Sequence, residues 1–253
     1  MKHSAGSEFF EKSKFENMGE RDQELGKPQP PLEWEPDPGK KIIDLPAPSG
    51  LNMPDFPLRK AIEQRRSVRK YAPQPITVEE LSYLLWCTQG VQQIVPAYTK
   101  GGRITQRTVP SAGARHAFET LLLVNRVDGL APGLYRFIAT QHKLVEVDGG
   151  NKLADKLAKA CLEQMMIKQA AVTFFWVADA YRMTWRYRER GYRYMLLDAG
   201  HVCQNLYLCA ESIGCGTCAV GAYDDNDVNR LLSLDGVERF VIYIGPVGRK
   251  VGG

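Results

Sequence analysis

The chain has 253 residues, of which 44% are hydrophobic and 25% are charged, so it is long enough to bury a core and has the composition of an ordinary globular protein. Its 33 basic and 29 acidic side chains leave a formal net charge of +4. An excess this small, scattered along the chain, argues against nucleic acid as a partner.

The sequence contains no segment typical of export or of membrane insertion. The first residues have no apolar core of a secretory signal, and the longest apolar stretch, Ala170 to Ala178, is far shorter than the ~20 residues that cross a bilayer. We therefore expect a cytoplasmic protein without membrane contact.

Six cysteines are few for this length. Cys215 and Cys218 have the CxxC spacing of a metal or redox pair, but no second CxxC and no nearby histidine pair accompanies them. We predict reduced thiols and no metal site.

Prolines dominate the start of the chain: nine of the fifteen precede residue 58. Such a segment cannot sustain a helix or a central strand. It still carries apolar anchors such as Phe9, Phe10 and Trp34. We therefore predict that residues 1–55 form an extended arm lying across a surface, either of its own chain or of a partner subunit, and that residues 56–253 form one domain.

The domain alternates helical and strand patterns. A short helix from Phe56 leads into a basic loop, and Thr77 with Glu80 forms a capping box that starts a helix ending near Gly90. Later segments follow in order: strands at 119–127 and 133–138, a helix at 151–164, a strand at 170–178, a helix at 192–212, a strand at 217–222, a helix at 225–232, and a strand at 239–244 ended by a Gly-Pro turn. Because helices and strands follow no regular alternation, we predict the α+β class rather than a doubly wound sheet.

One apparent motif fails on its context. Gly214, Gly216 and Ala219 have the spacing of a dinucleotide-binding fingerprint. That fingerprint requires a strand before the glycines and a helix after them, whereas here the order is reversed. We reject a Rossmann dehydrogenase.

A basic loop is the stronger candidate for a binding site. Arg65, Arg66, Ser67 and Arg69 place three guanidinium groups and a hydroxyl within five residues. Arginine offers planar forks of donors that match phosphate oxygens, although a solvated basic turn would have the same sequence. Segments 107–116 and 245–250 add further basic residues among Gly and Pro, and ordinary loops remain an alternative for both.

Taken together, five motifs resemble the nitroreductase superfamily, and within it the SagB-type dehydrogenase branch. They are Arg65-Arg-Ser-x-Arg69, Pro110-Ser-Ala-Gly-Ala-Arg-His116, Gly133-Leu-Tyr135, Leu196-Leu-Asp-Ala-Gly-His-Val-Cys-Gln-Asn-Leu206 and Gly245-Pro-x-Gly-Arg249, in the family's order. The resemblance implies an α/β/α sandwich with a mixed, mainly antiparallel central sheet. It also implies a homodimer with FMN at the subunit interface.

The resemblance further implies which residues bind the cofactor. They are Arg65, Arg66 (mainly through its backbone), Ser67, Arg69 and Arg249 around the phosphate and ribityl chain, Pro110, Ser111, Ala112 and Gly113 in a loop that reaches the partner's flavin, and Ala219, Val220 and Gly221 whose backbone lies along the flavin ring.

The implied activity transfers a hydride from NADH or NADPH, through the flavin, to a small electron-poor acceptor such as a quinone or nitroaromatic compound, in a ping-pong reaction. Tyr194 and His116 are candidate proton donors, and we interpret His201 as a core residue. Two alternatives stay open. A peptide azoline dehydrogenase would use a Lys-Tyr pair, for which this chain has Arg193 and Tyr194, and an FMN-binding carrier would need no catalysis.

Overall fold

The computed structural model describes residues 4–97, 101–148 and 152–252. Its helices are α1 Ala5–Lys12, α2 Leu58–Gln64, α3 Val78–Gln89, α4 Leu153–Ala160, α5 Met166–Gln169, α6 Ala180–Tyr187, α7 Arg190–Ser212 and α8 Asp225–Leu231. Its strands are β1 Ile42–Asp44, β2 Ile76–Thr77, β3 Val91–Pro96, β4 Arg103–Arg107, β5 Phe118–Val124, β6 Val127–Asp128, β7 Gly133–Ile138, β8 Lys143–Asp148, β9 Val172–Asp179, β10 Cys215–Thr217 and β11 Arg239–Arg249. None of the helices in these ranges combines the length and apolarity needed to span a membrane.

A seven-stranded sheet forms the centre of the molecule. Its strand order is β1-β8-β7-β5-β9-β11-β10, and each neighbouring pair is antiparallel. Parallel pairing occurs between β2 and β6 and at the bridge from Ser67 to Thr217 beside the edge strand β10. The predicted α+β class with a mainly antiparallel sheet is therefore confirmed.

Helices cover both faces of the sheet because consecutive strand residues point to opposite sides. Leu122 and Phe174 pack with α3 and α7, whereas their neighbours Leu121 and Phe175 pack with α4, α5 and α8. Two separate hydrophobic clusters result, one on each face. The long helix α7 belongs to the first cluster, and this placement decides where the candidate site lies.

The local predictions for two helices have different outcomes. The capping box is present in full: Glu80 N donates to Thr77 Oγ1 at 3.2 Å and Thr77 N donates to Glu80 Oε2 at 2.8 Å. The predicted start of the next helix at Asn151 lies outside the described residues. The described part of that helix, α4, ends at Ala160 and not at Gln164, because Leu162 and Glu163 have positive φ angles that a right-handed helix does not allow.

The end of the chain differs from the prediction. β11 continues through Gly245 and Pro246 to Arg249, where we expected a turn, since Gly245 pairs with Phe174 and Val247 with Val172. Pro246 is tolerated because its carbonyl points away from β9 and accepts the Tyr71 hydroxyl at 2.9 Å, so no ladder donor is needed there.

The predicted strand at 217–222 is also wrong: β10 ends at Thr217, and beyond it Val220 alone bridges to Ile244.

The proline-rich segment lies on the surface of its own chain. Its strand β1 adds to β8 at the edge of the sheet, and Trp34 Nε1 donates to Asp179 Oδ2 at 2.7 Å. Gln23 N donates to the Trp185 carbonyl at 3.1 Å. Helix α1 was not expected in this segment, but it lies ahead of the prolines, which do not interrupt it.

Candidate functional site

The basic loop after α2 is held at the edge of the sheet. Val68 N donates to the Thr217 carbonyl at 2.9 Å, and Ser67 bridges to Thr217 in parallel register. A Cβ at Gly216 would overlap the Val68 side chain, so glycine permits this close approach. The loop and β10 thus form one continuous edge.

Tyr207 of α7 joins the loop to the segment that follows β10. Its hydroxyl lies 3.0 Å from Ser67 Oγ and accepts Ala219 N at 2.9 Å. The Arg65 guanidinium lies over its ring, 5.1 Å from the centroid. The structure therefore brings Arg65, Ser67 and Ala219 together around a residue that sequence analysis missed. The available signal was a tyrosine within the apolar stretch from Leu206 to Ala210.

The arginines of the basic loop differ in their hydrogen-bond acceptors. Arg66 Nη1 donates to the carbonyls of Glu63 and Arg65, at 2.9 and 2.8 Å, and is used within its own turn. Among the described residues, Arg65 and Arg69 have no carboxylate or carbonyl acceptor, and Arg69 is exposed. Two guanidinium groups are consequently available to an anion.

The backbone beside Tyr207 offers one further donor. Val220 exchanges both hydrogen bonds with Ile244, at 2.8 and 3.2 Å. The N–H of Gly221 has no acceptor within the described ranges, and Gly221 is exposed. A Cβ there would have only Tyr243 nearby, at 3.9 Å, so a flat ligand can approach this backbone closely.

The loop at 110–116 is fixed by a different part of α7. Ser111 Oγ donates to Asp198 Oδ2 at 2.7 Å, and Ala112 N lies 3.3 Å from both carboxylate oxygens. Ser111 Oγ also accepts His116 N at 2.9 Å. Gly113 has a φ of +57°, and a Cβ there would overlap the Tyr187 hydroxyl. Burial raises the pKa of Asp198, an effect that its hydrogen bonds from Ser111 and Ala112 oppose.

The basic loop and the loop at 110–116 contact α7 at different positions along its axis. Asp198 and Tyr207 are nine positions apart on one helix, which corresponds to about 13.5 Å along its axis at a rise of ~1.5 Å per residue. Pro110 to Gly113 therefore do not join Arg65 and Ser67 around Tyr207 within one chain.

The two candidate proton donors have unlike surroundings. His116 is 5% exposed, and burial, with Arg107 nearby, lowers its pKa well below the ordinary value. A neutral, enclosed imidazole is a poor proton donor, so this geometry argues against the predicted catalytic role of His116. Tyr194 is half-buried, and its hydroxyl accepts Arg190 Nε at 2.7 Å.

The arginine paired with Tyr194 is not the one we expected. Arg193 Nη2 instead donates to the Phe10 carbonyl at 2.9 Å and to Ser13 Oγ at 2.7 Å, so it anchors the arm.

Arg249 also differs from the expectation. Its Nη2 forms an ion pair with Glu80 at 2.6 Å, Nη1 donates to the Ile213 carbonyl at 3.0 Å, and Nε donates to the Pro75 carbonyl at 3.2 Å. Protein acceptors thus occupy each guanidinium nitrogen. This arrangement argues against the predicted role of Arg249 in closing a phosphate site and makes it a link between β11 and the start of α3.

An antiparallel sheet between two helical layers defines the class of this protein as an α+β sandwich. Comparison with known proteins supplies the family. The model of the nitroreductase family matches residues 62–249, and the chain belongs to that family. It is accordingly an oxidoreductase; proteins of the family generally bind FMN, take electrons from NAD(P)H and form homodimers.

Two relatives illustrate the range of the family. A candidate nitroreductase of Methanocaldococcus jannaschii is 36% identical over 79% of this chain and 96% of its own length. A trifolitoxin-processing protein of Rhizobium leguminosarum is 28% identical over 64% of this chain, and the matched part is 44% of that protein.

Two solved structures share the fold. A candidate nitroreductase of Anabaena variabilis superposes with a TM-score of 0.67 at 29% identity, over 85% of this chain and 42% of that one. The complex of the Escherichia coli microcin synthetase contains a chain with a TM-score of 0.60 at 18% identity, over 82% of this chain and 77% of that one.

Proposed function

We propose that the protein is an FMN-dependent oxidoreductase that takes electrons from NADH or NADPH and reduces a small, electron-poor acceptor such as a quinone or nitroaromatic compound. One observation carries the proposal: Arg65 and Arg69, without acceptors among the described residues, lie on the same sheet edge as the free N–H of Gly221. Groups suited to binding a phosphate, and a donor suited to a flat ring system, thus lie on one edge.

The residues present fit this cofactor. Arg65, Ser67 and Arg69 would bind its phosphate through charge-assisted hydrogen bonds, and Tyr207 would hold Ser67 in place for that purpose. Gly221 would lie against the ring system and donate its N–H to the ring edge. Bound FMN would supply the two-electron redox chemistry.

An exposed apolar surface beside the 110–113 loop supports contact with a partner subunit. Leu196 and Leu197 of α7 are 58% and 57% exposed, and they directly precede the buried Asp198 that holds the 110–113 loop. Exposed leucines beside an ordered loop are typical of a surface that another subunit covers. We propose a homodimer in which Pro110 to Gly113 of one chain complete the site at Arg65 and Gly221 of the other.

Tyr194 is the proton donor that we propose to retain. Because its oxygen accepts a hydrogen bond from Arg190, its own proton is not committed to that partner and can be donated. The neighbouring guanidinium, 5.1 Å from its ring centroid, would stabilise the phenolate that remains.

The test is an anaerobic stopped-flow measurement on the protein reconstituted with FMN. We expect NADH or NADPH to bleach the yellow flavin absorbance, and a quinone or nitroaromatic acceptor to restore it. Arg65→Ala should bind FMN more weakly, whereas the matched control Arg66→Ala, whose guanidinium donates within its own turn, should bind it as the unmodified protein does. Full FMN binding by both variants, or no bleaching by either donor, would contradict the proposal.

A second candidate is a peptide azoline dehydrogenase, favoured by the likeness to the trifolitoxin-processing protein. Arginine keeps its proton, so the Arg190–Tyr194 pair cannot supply the base that a Lys-Tyr pair provides. Incubation of the FMN-loaded protein with a thiazoline-containing peptide separates the two functions. Loss of two hydrogens from the peptide, measured by mass spectrometry, would establish the second candidate, and an unchanged mass would exclude it.

A further inference from the structure

A cavity of about 160 Å³ lies where the proline-rich arm meets the loop at 110–116 and the end of α6. Its charged lining residues are Arg115 and Arg186, and among the described residues no acidic side chain lines it. Arg115 belongs to the 110–116 motif but has no part in the proposed cofactor site. One chain forms the whole cavity, so binding of a ligand there requires neither FMN nor the proposed dimer.

Arg115 is an enclosed cation with donors to spare. It is 4% exposed, its Nε donates to the Arg182 carbonyl at 2.9 Å, and its guanidinium lies over the Trp185 ring, 4.8 Å from the centroid. Its two terminal nitrogens have no acceptor within the ranges that the structure describes. Because the Nε bond and the ring fix the plane of the group, the edge formed by Nη1 and Nη2 is an ordered fork of donors at the cavity wall.

No carboxylate compensates this charge within the described part of the chain. Burial, with the charges of Arg182 and Arg186 nearby, lowers the pKa of Arg115 to about 10, so the group is still charged at neutral pH. Asp22 and Glu24 of the arm form ion pairs with other basic residues of the arm and do not line the cavity. An uncompensated buried cation is costly, and a bound anion would offset that cost.

Gln29 adds a buried acceptor to the same cavity. Its Nε2 donates to the Arg103 carbonyl at 2.6 Å, and this contact fixes the orientation of the amide because a carbonyl oxygen can only accept. Its Oε1 is buried, and no donor from the described residues reaches it. A ligand that carries a hydroxyl beside its negative charge would satisfy both Gln29 and Arg115.

The size and the remaining wall of the cavity limit the ligand further. The volume is close to the ~150 Å³ of a cavity that holds one benzene molecule, so only a small compound fits. Ala97, Ile104 and Trp185 make part of the wall apolar. The backbone N–H groups of Ala114 and Arg115 are already bonded within their own turn, at 3.0 and 3.2 Å. The cavity therefore suits the two oxygens of a carboxylate better than the larger set of oxygens of a phosphate.

We propose that this cavity is a second ligand site, for a small carboxylate that also carries a hydroxyl, such as a 2-hydroxy acid. The carboxylate would accept hydrogen bonds from Nη1 and Nη2 of Arg115, and Arg186 would add a second positive charge. The hydroxyl would donate to Gln29 Oε1, and the carbon atoms would lie against Ile104 and Trp185.

Lactate is a suitable probe, and Trp185 reports on its binding. The Trp185 indole N–H donates to the Lys27 carbonyl at 3.1 Å, and its NMR signal is identified by its absence in Trp185→Phe. At constant ionic strength, we expect lactate to shift this signal saturably and lactamide, which lacks the charge, to leave it in place. Propionate, which lacks the hydroxyl, should bind about fivefold more weakly than lactate.

Variants connect the shift to the side chains of the cavity. Arg115→Met should weaken lactate binding by at least about tenfold, because a charge-assisted interaction is lost. The control Arg230→Met removes an exposed arginine of α8 and should bind lactate as the unmodified protein does. Ile104→Trp keeps Arg115 but fills the cavity, so it should abolish binding even if Arg115→Met fails to fold. Gln29→Leu should bind lactate and propionate equally.

No shift with lactate, an equal shift with lactamide, or tighter binding of inorganic phosphate than of lactate would overturn the proposal. Unchanged lactate affinity in the variants of Arg115 and Ile104 that fold would also contradict the site. Arg65→Ala separates this site from the proposed function, because that variant should bind lactate normally while it binds FMN more weakly.

Discussion

Two groups of arginines in this protein have opposite environments. Arg65 and Arg69 lie in an exposed loop without acceptors among the described residues, whereas Arg136 and Arg182 are enclosed and share the carboxylate of Glu119. Arg69 is exposed and Arg65 is half-buried, so water still reaches both guanidinium groups and they remain charged at little cost. Burial makes the second pair depend on Glu119, because a buried charge without a partner is strongly destabilising. The same residue type is thus a proposed ligand-binding group in one region and a structural group in the other.

The contrast also explains why only the first group of arginines could be recognised from the sequence. Arg65, Arg66 and Arg69 are adjacent in the chain and stand out as a basic run. Arg136 is a single arginine in an apolar strand, and Arg182 is one of several arginines spaced along a helical segment. Glu119 connects them from a third segment. That these three side chains form ion pairs becomes evident only from the pairing of β5 with β7 and the packing of α6 beside them.

The prediction with the largest expected effect concerns the removal of the buried carboxylate of Glu119. Glu119→Gln should lower the free energy of unfolding by about 3–5 kcal/mol, because two buried guanidinium groups lose their counter-charge. Urea denaturation measures the effect. The control Glu63→Gln breaks an exposed pair with Arg59 and should change stability by less than ~1 kcal/mol. Similar losses in the two variants would show that burial does not distinguish the two groups.

A smaller effect, on binding and not on stability, is expected at the exposed group. Arg65→Ala should weaken FMN binding by ~1.5–3 kcal/mol, the contribution of one hydrogen bond to a charged group. Titration followed by flavin fluorescence measures it, with Arg66→Ala as the control. A loss of stability instead of affinity would place Arg65 among the structural arginines.

Tyr207→Phe tests whether Tyr207, which connects the basic loop to the segment after β10, keeps that loop ordered. Loss of the hydroxyl leaves Ala219 N without its acceptor, so we expect ~1 kcal/mol less stability and FMN binding that is weaker by a similar amount. Tyr192→Phe is the matched control on α7, because no hydrogen bond of the Tyr192 hydroxyl is present among the described residues. Equal behaviour of the two variants would contradict a role for Tyr207 in the site.

The smallest expected effect is a pH dependence at Asp198. Because burial raises its pKa above the ordinary 3.8, the folded protein binds this proton more tightly than the unfolded chain does. The stability contribution of Asp198 should therefore fall as pH rises from about 3.8 through the raised pKa. Asp198→Asn should lack this component in thermal unfolding measured across that range. An unchanged pH profile would show that Asp198 is not responsible.

The sequence by itself determined the features that depend on residues close together in the chain. The capping box of Thr77 and Glu80, the basic loop and the order of the family motifs are local signals, and they were sufficient for the helix α3, the α+β class and the family. Local chemistry is nearly the same in any fold that contains the segment, which is why these predictions succeeded.

The tertiary structure decided the partners of individual side chains. Ser67 and Tyr207 are 140 residues apart in sequence, and Arg249 pairs with Glu80 only because β11 ends beside the start of α3. Pro246 is tolerated within a strand because its backbone faces away from β9, where no ladder donor is needed and the Tyr71 hydroxyl binds its carbonyl. Hydrogen bonds and ion pairs depend on distances of a few ångströms, and only packing sets such distances between remote segments.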